Sequence, residues 1–232
     1  MQQQAQVLAF DVFGTIVDWH GGIQREVEQM LPEVDASAFA LAWRAGYQPA
    51  MQHVVTGVLG WTLIDDLHRM ILDGVLVQFG VTQLTEAQKR HLNKAWHRLD
   101  PWPDVVPGLL RLKGRYTICT LSNGNLGLLS NMAKRAGLPW DCILSAEVFR
   151  AYKPDPVTYL GVARVFDLAP QQVMLVAAHH DDLAAARDCG LQTAYIERPH
   201  EFGMARPKDV SAVAANSWHA QDVLDLADQL AC

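Results

Sequence analysis

The chain has 232 residues, half of them hydrophobic and 19% charged, with a net charge of −6 and a pI near 5.8. This composition describes a packed globular protein rather than a disordered one, and the lack of a basic stripe argues against nucleic-acid binding. No run approaches the roughly 20 apolar residues of a membrane span, and MQQQAQ lacks the basic start and apolar stretch of a signal peptide, so no membrane partner and a cytoplasmic setting are expected.

Val7-Leu8-Ala9-Phe10 is an apolar run that stops at an acid, Asp11, followed by Gly14 and Thr15. It reads as a buried strand with a carboxylate at its end. From about 18 to 98 the periodicity is helical. Ile23, Val27, Met30 and Leu31 form one stripe, and Leu72, Val75, Leu76 and Phe79 another. Thr85-Glu86-Ala87-Gln88 resembles a capping box before a third helix that contains Leu92, Ala95 and Trp96. Pro101, Pro103 and Pro107 mark the return of the chain.

Strands and helices then alternate. YTICTL (116–121) is a strand, and LGLLSNMAKRAG a helix that Gly137 stops in a left-handed turn. Cys142-Ile143-Leu144 is a short strand. A helix starts near Pro156, a residue suited to a first turn, and runs through Val162 and Phe166. VMLVAA (173–178) is a strand, DDLAAARDCG a helix closed by Gly190, LQTAYI (191–196) a further strand, and AQDVLDLADQL a terminal helix. Short apolar strands separated by helices imply an α/β fold with a parallel sheet covered on both faces. Cys119 and Cys142 lie in strand-like runs as buried thiols, and none of the four cysteines has the CxxC spacing of a zinc or redox site.

In such a sheet, ligands bind beyond the carboxyl ends of the strands. Asp11, Ser122-Asn123, Lys153 and the run His179-His180-Asp181-Asp182 all follow strands. That places an acid, a hydroxyl, an amide, a cation and a second set of acids at one edge.

DVFGT, LSNG, YKPDP and the acid pair at 181–182 resemble, in order, the four motifs of the haloacid dehalogenase superfamily. The resemblance spans essentially the whole chain. It implies a Rossmann-like core of residues 1–17 and 99–232 with an inserted helical cap domain, 18–98. Phosphatases of that superfamily carry Asp-x-Asp, and the second acid protonates the leaving alkoxide. Here Phe13 stands in its place. A halide is the anion of a strong acid and needs no proton, and Asp-x-[Tyr/Phe]-Gly-Thr resembles the signature of the L-2-haloacid dehalogenase (type II) branch. LAWRAGY (41–47) is similar to that branch's cap motif.

The resemblance implies a two-step reaction on a small 2-haloacid. Asp11 displaces halide from C2 with inversion, and water then hydrolyses the ester. Lys153 keeps Asp11 ionised, and Asp182 positions or activates the water. Thr15 and Ser122 orient Asp11 or bind the substrate carboxylate. Arg44 and Asn123 cradle the halide, and Phe13 packs against the substrate. No cofactor or metal is implied, and the family is often a homodimer. Tyr159 reads equally as core or site. Asp181 and Asp182 also suit a helix amino terminus. His179 stands where relatives carry other polar residues, and three readings stand open for it: a donor, a general base, or a satisfied turn residue. An anion-binding member without turnover and a Mg²⁺-dependent phosphatase or phosphonatase are the competing functions.

Overall fold

The computed structural model describes residues 4–232, so Met1 to Gln3 of the amino-terminal hexapeptide lie outside the described residues. Strand β1 (Val7–Phe10) is followed by α1 (Trp19–Met30), α2 (Ala36–Ala45), α3 (Tyr47–Val55), α4 (Ile64–Gln78), α5 (Glu86–Asn93) and a 3-10 segment over Lys94–Arg98. The chain then runs α6 (Val105–Lys113), β2 (Thr117–Ser122), α7 (Leu126–Ala136), β3 (Cys142–Ser145), α8 (Ala146–Phe149), α9 (Pro156–Val165), β4 (Val173–Ala177), α10 (His180–Asp188), β5 (Gln192–Ile196), β6 (Trp218–Ala220) and α11 (Val223–Gln229).

The strands form one parallel sheet in the order β3-β2-β1-β4-β5-β6. β1 is central, and its four side chains divide between the two faces, as a pleated strand requires. Leu8 and Phe10 join an apolar cluster with α6, α7 and α11, while Val7 and Ala9 join a second with α9 and α10. No helix of the described residues is long and apolar enough to cross a membrane.

Local chemistry sets the helix starts. Asp18 accepts from Gly21 N–H, Asp35 from Ala38 N–H, and Asp155 from Val157 N–H with Pro156 at the first helical position. The Thr85–Gln88 capping box forms as expected. The insertion between β1 and β2 is helical and shares one continuous apolar cluster with the sheet, through Phe13, Trp19, Trp43, Tyr47 and Trp96.

Three expectations need correction. The third insertion helix ends at Asn93, and Ala95 and Trp96 lie in the 3-10 segment. Ala95, Trp96 and His97 are buried in succession there, so no single helical face exists. The terminal helix spans only Val223–Gln229, and the edge strand β6 precedes it; three residues are too few to show a period. Cys119 is buried but Cys142, its neighbour across the β2–β3 pair, is half-buried.

Buried Arg198 ties the loop after β5 both to the turn after β1 and, through an ion pair, to the start of α6. Arg198 donates from Nε to Thr15 O (2.9 Å), and its two terminal nitrogens grip the Asp104 carboxylate at 2.9 and 2.7 Å. Arg198→Ala leaves Asp104 charged and uncompensated, so we expect a stability loss of about 3–5 kcal/mol in urea denaturation. An unchanged midpoint would mean that the pair does not hold these loops.

Candidate active site

Asp11 sits at the carboxyl end of β1, where the strand order reverses. β2 and β3 lie to one side and β4 to β6 to the other. That reversal opens a crevice beyond the strand ends. The turn after Asp11 is tight: Gly14 has φ +87°, and a Cβ built there would lie 2.2 Å from Glu201 Oε1. Both the backbone angle and the close approach require glycine.

The two oxygens of Asp11 have different partners. Oδ1 accepts from Lys153 Nζ at 2.9 Å. Oδ2 accepts from Thr15 Oγ1 at 2.7 Å and lies 3.3 Å from His179 Nδ1. Thr15 is itself oriented by the N–H of Ala178, which donates to its hydroxyl at 2.9 Å. Burial opposes the charge on Asp11. The Lys153 ammonium and the His179 ring outweigh it and hold the carboxyl well below the usual carboxylate range.

Lys153 bridges two acids, with Nζ also donating to Asp182 Oδ2 at 2.5 Å. Burial alone would lower its pKa, but Asp11 and Asp182 raise it above the ordinary lysine value. Its backbone is clamped by Asn123, whose Oδ1 accepts from Lys153 N–H (2.7 Å) and whose Nδ2 donates to Lys153 O (3.4 Å). Asp182 Oδ1 accepts from the Tyr159 hydroxyl at 2.7 Å. Burial and the charge on Asp11 push Asp182 upward, with Lys153 pulling against them. Burial and Asp182 likewise keep the Tyr159 phenol protonated and donating.

His179 lies between two carboxylates. Nδ1 faces Asp11 Oδ2, and Nε2 lies 2.8 Å from Glu201 Oε1. Burial works against its charge, yet Glu201 and Asp11 raise it to about 9. A ring protonated in this way has no lone pair to offer a water; Nε2 is hydrogen-bonded to Glu201, and Nδ1 stands 3.3 Å from Asp11 Oδ2.

A cavity of about 170 Å³ opens on these groups. Asp11, Phe13, Arg44, Asn123, Lys153, Tyr159, His179 and Asp182 line it, as do Tyr47, Gln48, Pro154 and the exposed Asp181. Phe13 makes edge contacts with Trp96 (5.9 Å between centroids) and His68 (6.5 Å). Burial lowers His68 to about 3, so this wall is uncharged. Arg44 lies over the rings of Tyr47 (4.4 Å) and Trp19 (5.6 Å) and has no ion pair among the described residues. It is a cation free to meet an anion.

Eight of the ten residues singled out in the sequence therefore meet at one cavity. Thr15 and Ser122 do not line it. Thr15 is behind Asp11, and Ser122 Oγ accepts from Gly124 N–H at 3.1 Å within its own turn. Sequence reasoning missed Glu201, Lys208, Tyr47 and Gln48. Tyr47 lay inside the quoted LAWRAGY stretch. Glu201 and Lys208 belong to RPHEFGMARPK, a charged loop sequence with no signal that its acid is fully buried. Among the described residues no three His, Cys, Asp or Glu side chains are grouped to hold a metal ion. The cation between Asp11 and Asp182 is the Lys153 ammonium.

Residues 5–190 match the haloacid dehalogenase-like hydrolase family. (S)-2-haloacid dehalogenase 4A of Burkholderia cepacia is 30% identical over 232 residues, covering 94% of this chain and 95% of its own. The crystal structure of a defluorinating L-2-haloacid dehalogenase superposes with a TM-score of 0.95 at 46% identity, covering 98% of this chain and 96% of its own. Another L-2-haloacid dehalogenase superposes with a TM-score of 0.93 at 44% identity, covering 98% and 100%. With the motifs, the fold and these relatives in agreement over nearly its full length, the chain belongs to the haloacid dehalogenase-like hydrolases.

Proposed function

We propose that this protein hydrolyses short L-2-haloalkanoates to D-2-hydroxyalkanoates through an ester on Asp11. One observation carries the reading. Asp11 is ionised and faces the cavity, and the residue two positions on is Phe13, which has no proton to give a leaving group. Halide needs none. The uncompensated Arg44 supports an anionic substrate or leaving group, and the small cavity supports a short acid.

The first step forms the Asp11 oxygen–C2 bond and breaks the carbon–halide bond, with both electrons leaving on the halide. The oxygen enters opposite the halide, so C2 inverts. Lys153 keeps Asp11 anionic, and Arg44 with Asn123 solvates the departing halide. Phe13 and its aromatic neighbours exclude water from the attack. In the second step water adds to the Asp11 carboxyl carbon, Asp182 takes its proton, and the 2-hydroxy acid leaves with the original Asp11 oxygen. Tyr159 fixes Asp182, and Thr15 orients Asp11. Ser122 shapes the turn that presents Asn123.

The same reading divides the chain into a core of 1–17 and 99–232 and a cap of 18–98 that covers the site. It places the protein in the cytoplasm, a setting that free cysteines suit. It also allows a homodimer through the cap, where Val58, Met70 and Val77 are exposed.

Incubation with chloroacetate or L-2-chloropropionate in EDTA should release halide and give D-2-hydroxy product. Asp11→Asn should lower turnover by about 10⁴-fold or more. Wild-type release of phosphate from phosphate monoesters, with no halide release from any haloacid, would sink this reading. Fluoroacetate belongs in the same assay, because the relative at 46% identity is described as defluorinating.

Lys153→Met removes the strongest influence that lowers Asp11 and leaves His179 alone against burial, the largest influence on this carboxyl. Turnover should fall by about 10²-fold or more. The residual activity should acquire an acid limb above the ordinary carboxylate range, readable from a kcat/KM profile. An unmoved acid limb would remove Lys153 from this role.

A further inference from the structure

We infer that His179, held by the buried Glu201–Lys208 pair, is the donor that stabilises the oxyanion forming on Asp11 Oδ2 when the ester is hydrolysed. This rests on the aspartyl-ester reading above. Glu201 lies in the loop after β5, outside all four motifs, and is fully buried. Its Oε1 accepts from His179 Nε2 (2.8 Å) and Trp19 Nε1 (3.2 Å), and its Oε2 from Lys208 Nζ (2.7 Å). Lys208 Nζ also donates to Ala178 O, beside His179. A carboxylate so completely enclosed has a structural cost, and one of its partners, His179, stands 3.3 Å from the nucleophile.

The two Asp11 oxygens are inequivalent. Oδ1 has one donor, Lys153; Oδ2 has the Thr15 hydroxyl and the His179 ring. The geometry assigns the attack on C2 to Oδ1 and leaves Oδ2 as the carbonyl oxygen of the ester. Water adds to Cγ, the C–O π electrons move onto Oδ2, and Asp182 takes the water proton. The intermediate collapses by breaking the Cγ–Oδ1 bond, and the alkoxide takes the proton back. During that passage Oδ2 carries the developing charge, with the Thr15 hydroxyl donating to it at 2.7 Å and the His179 ring nitrogen at ion-pair distance, 3.3 Å.

Esterification explains why Glu201 is needed. In the free enzyme His179 has two anionic neighbours, Asp11 and Glu201. Once Asp11 is alkylated it is neutral, and Glu201 alone holds the second proton on the ring. Burial raises Glu201, but His179 and Lys208 outweigh it and lower the acid to about 2, so it remains an anion. His179 is therefore the catalytic group, and Glu201 and Lys208 are positioning residues.

Rapid-quench kinetics with L-2-chloropropionate tests this. In His179→Ala the halide burst, one equivalent per site, should persist while steady-state turnover falls about 10²–10³-fold. The ester should accumulate and be visible by intact-protein mass. Glu201→Gln should give the same split. Its high-pH limb should also move below that of the wild type, because the ring has lost the anion at Nε2. The charged groups facing His179 are Asp11 from β1, Glu201 and Lys208 from the loop after β5, and, across the cavity, Lys153, Asp182 and Arg44. Should Glu201→Gln not fold, Lys208→Met must show the split instead. A burst that falls in parallel with turnover, with no ester accumulating, would overturn the inference. A wild-type protein that releases no halide from any haloacid would overturn the function beneath it, and so the two failures are distinguishable.

Discussion

The site depends on one contact, the Lys153 ammonium between Asp11 and Asp182 at 2.9 and 2.5 Å. Two buried carboxylates at one strand edge repel each other, and burial penalises both. Without a cation between them one would take up a proton, and the nucleophile would be lost. With it, Asp11 remains anionic while Asp182 is displaced upward. Lys153 favours the charge on both acids, and what separates them into a nucleophile and a proton acceptor is that Asp11 alone also has Thr15 and His179 beside it.

A second balance lies behind the first. Three buried or nearly buried carboxylates, Asp11, Asp182 and Glu201, meet three cations, Lys153, His179 and Lys208. The cluster is neutral, which is what a low-dielectric interior demands of ionised groups. Arg44 stands outside that balance on the far wall, where among the described residues aromatic faces hold it. Arg44 therefore offers an anionic substrate a cation with no ion pair among the described residues, although the protein as a whole carries −6. The local field, not the net charge, decides what enters.

Much of this arrangement is legible along the chain. The alternation of short apolar runs and helices reports a parallel sheet, and in such a sheet every strand end points the same way. Asp11, Asn123, Lys153 and Asp182 therefore had to converge, whatever the loop details. Phe13 was informative because it lacks a function that a relative's acid would supply. Other features were silent. β6 is too short to carry a period, and the 3-10 segment after α5 buries three residues in succession. Ser122 reads as a site hydroxyl, yet its oxygen is engaged within its own turn.

The sequence by itself determined the fold class, the strand that ends in Asp11, and the chemistry forbidden by Phe13. The first two follow from periodicity, a property of neighbouring residues, and the third from the resemblance of DVFGT to a motif in which other members carry a second acid. Only the tertiary structure decided that His179 lies between two carboxylates, that Glu201 is buried, and that Thr15 serves Asp11 from behind. Protonation is set by which charges lie within a few ångströms and by how much water is excluded. Glu201 stands 22 positions from His179 and 190 from Asp11, so their contact exists only once the loop after β5 has folded across the end of β1.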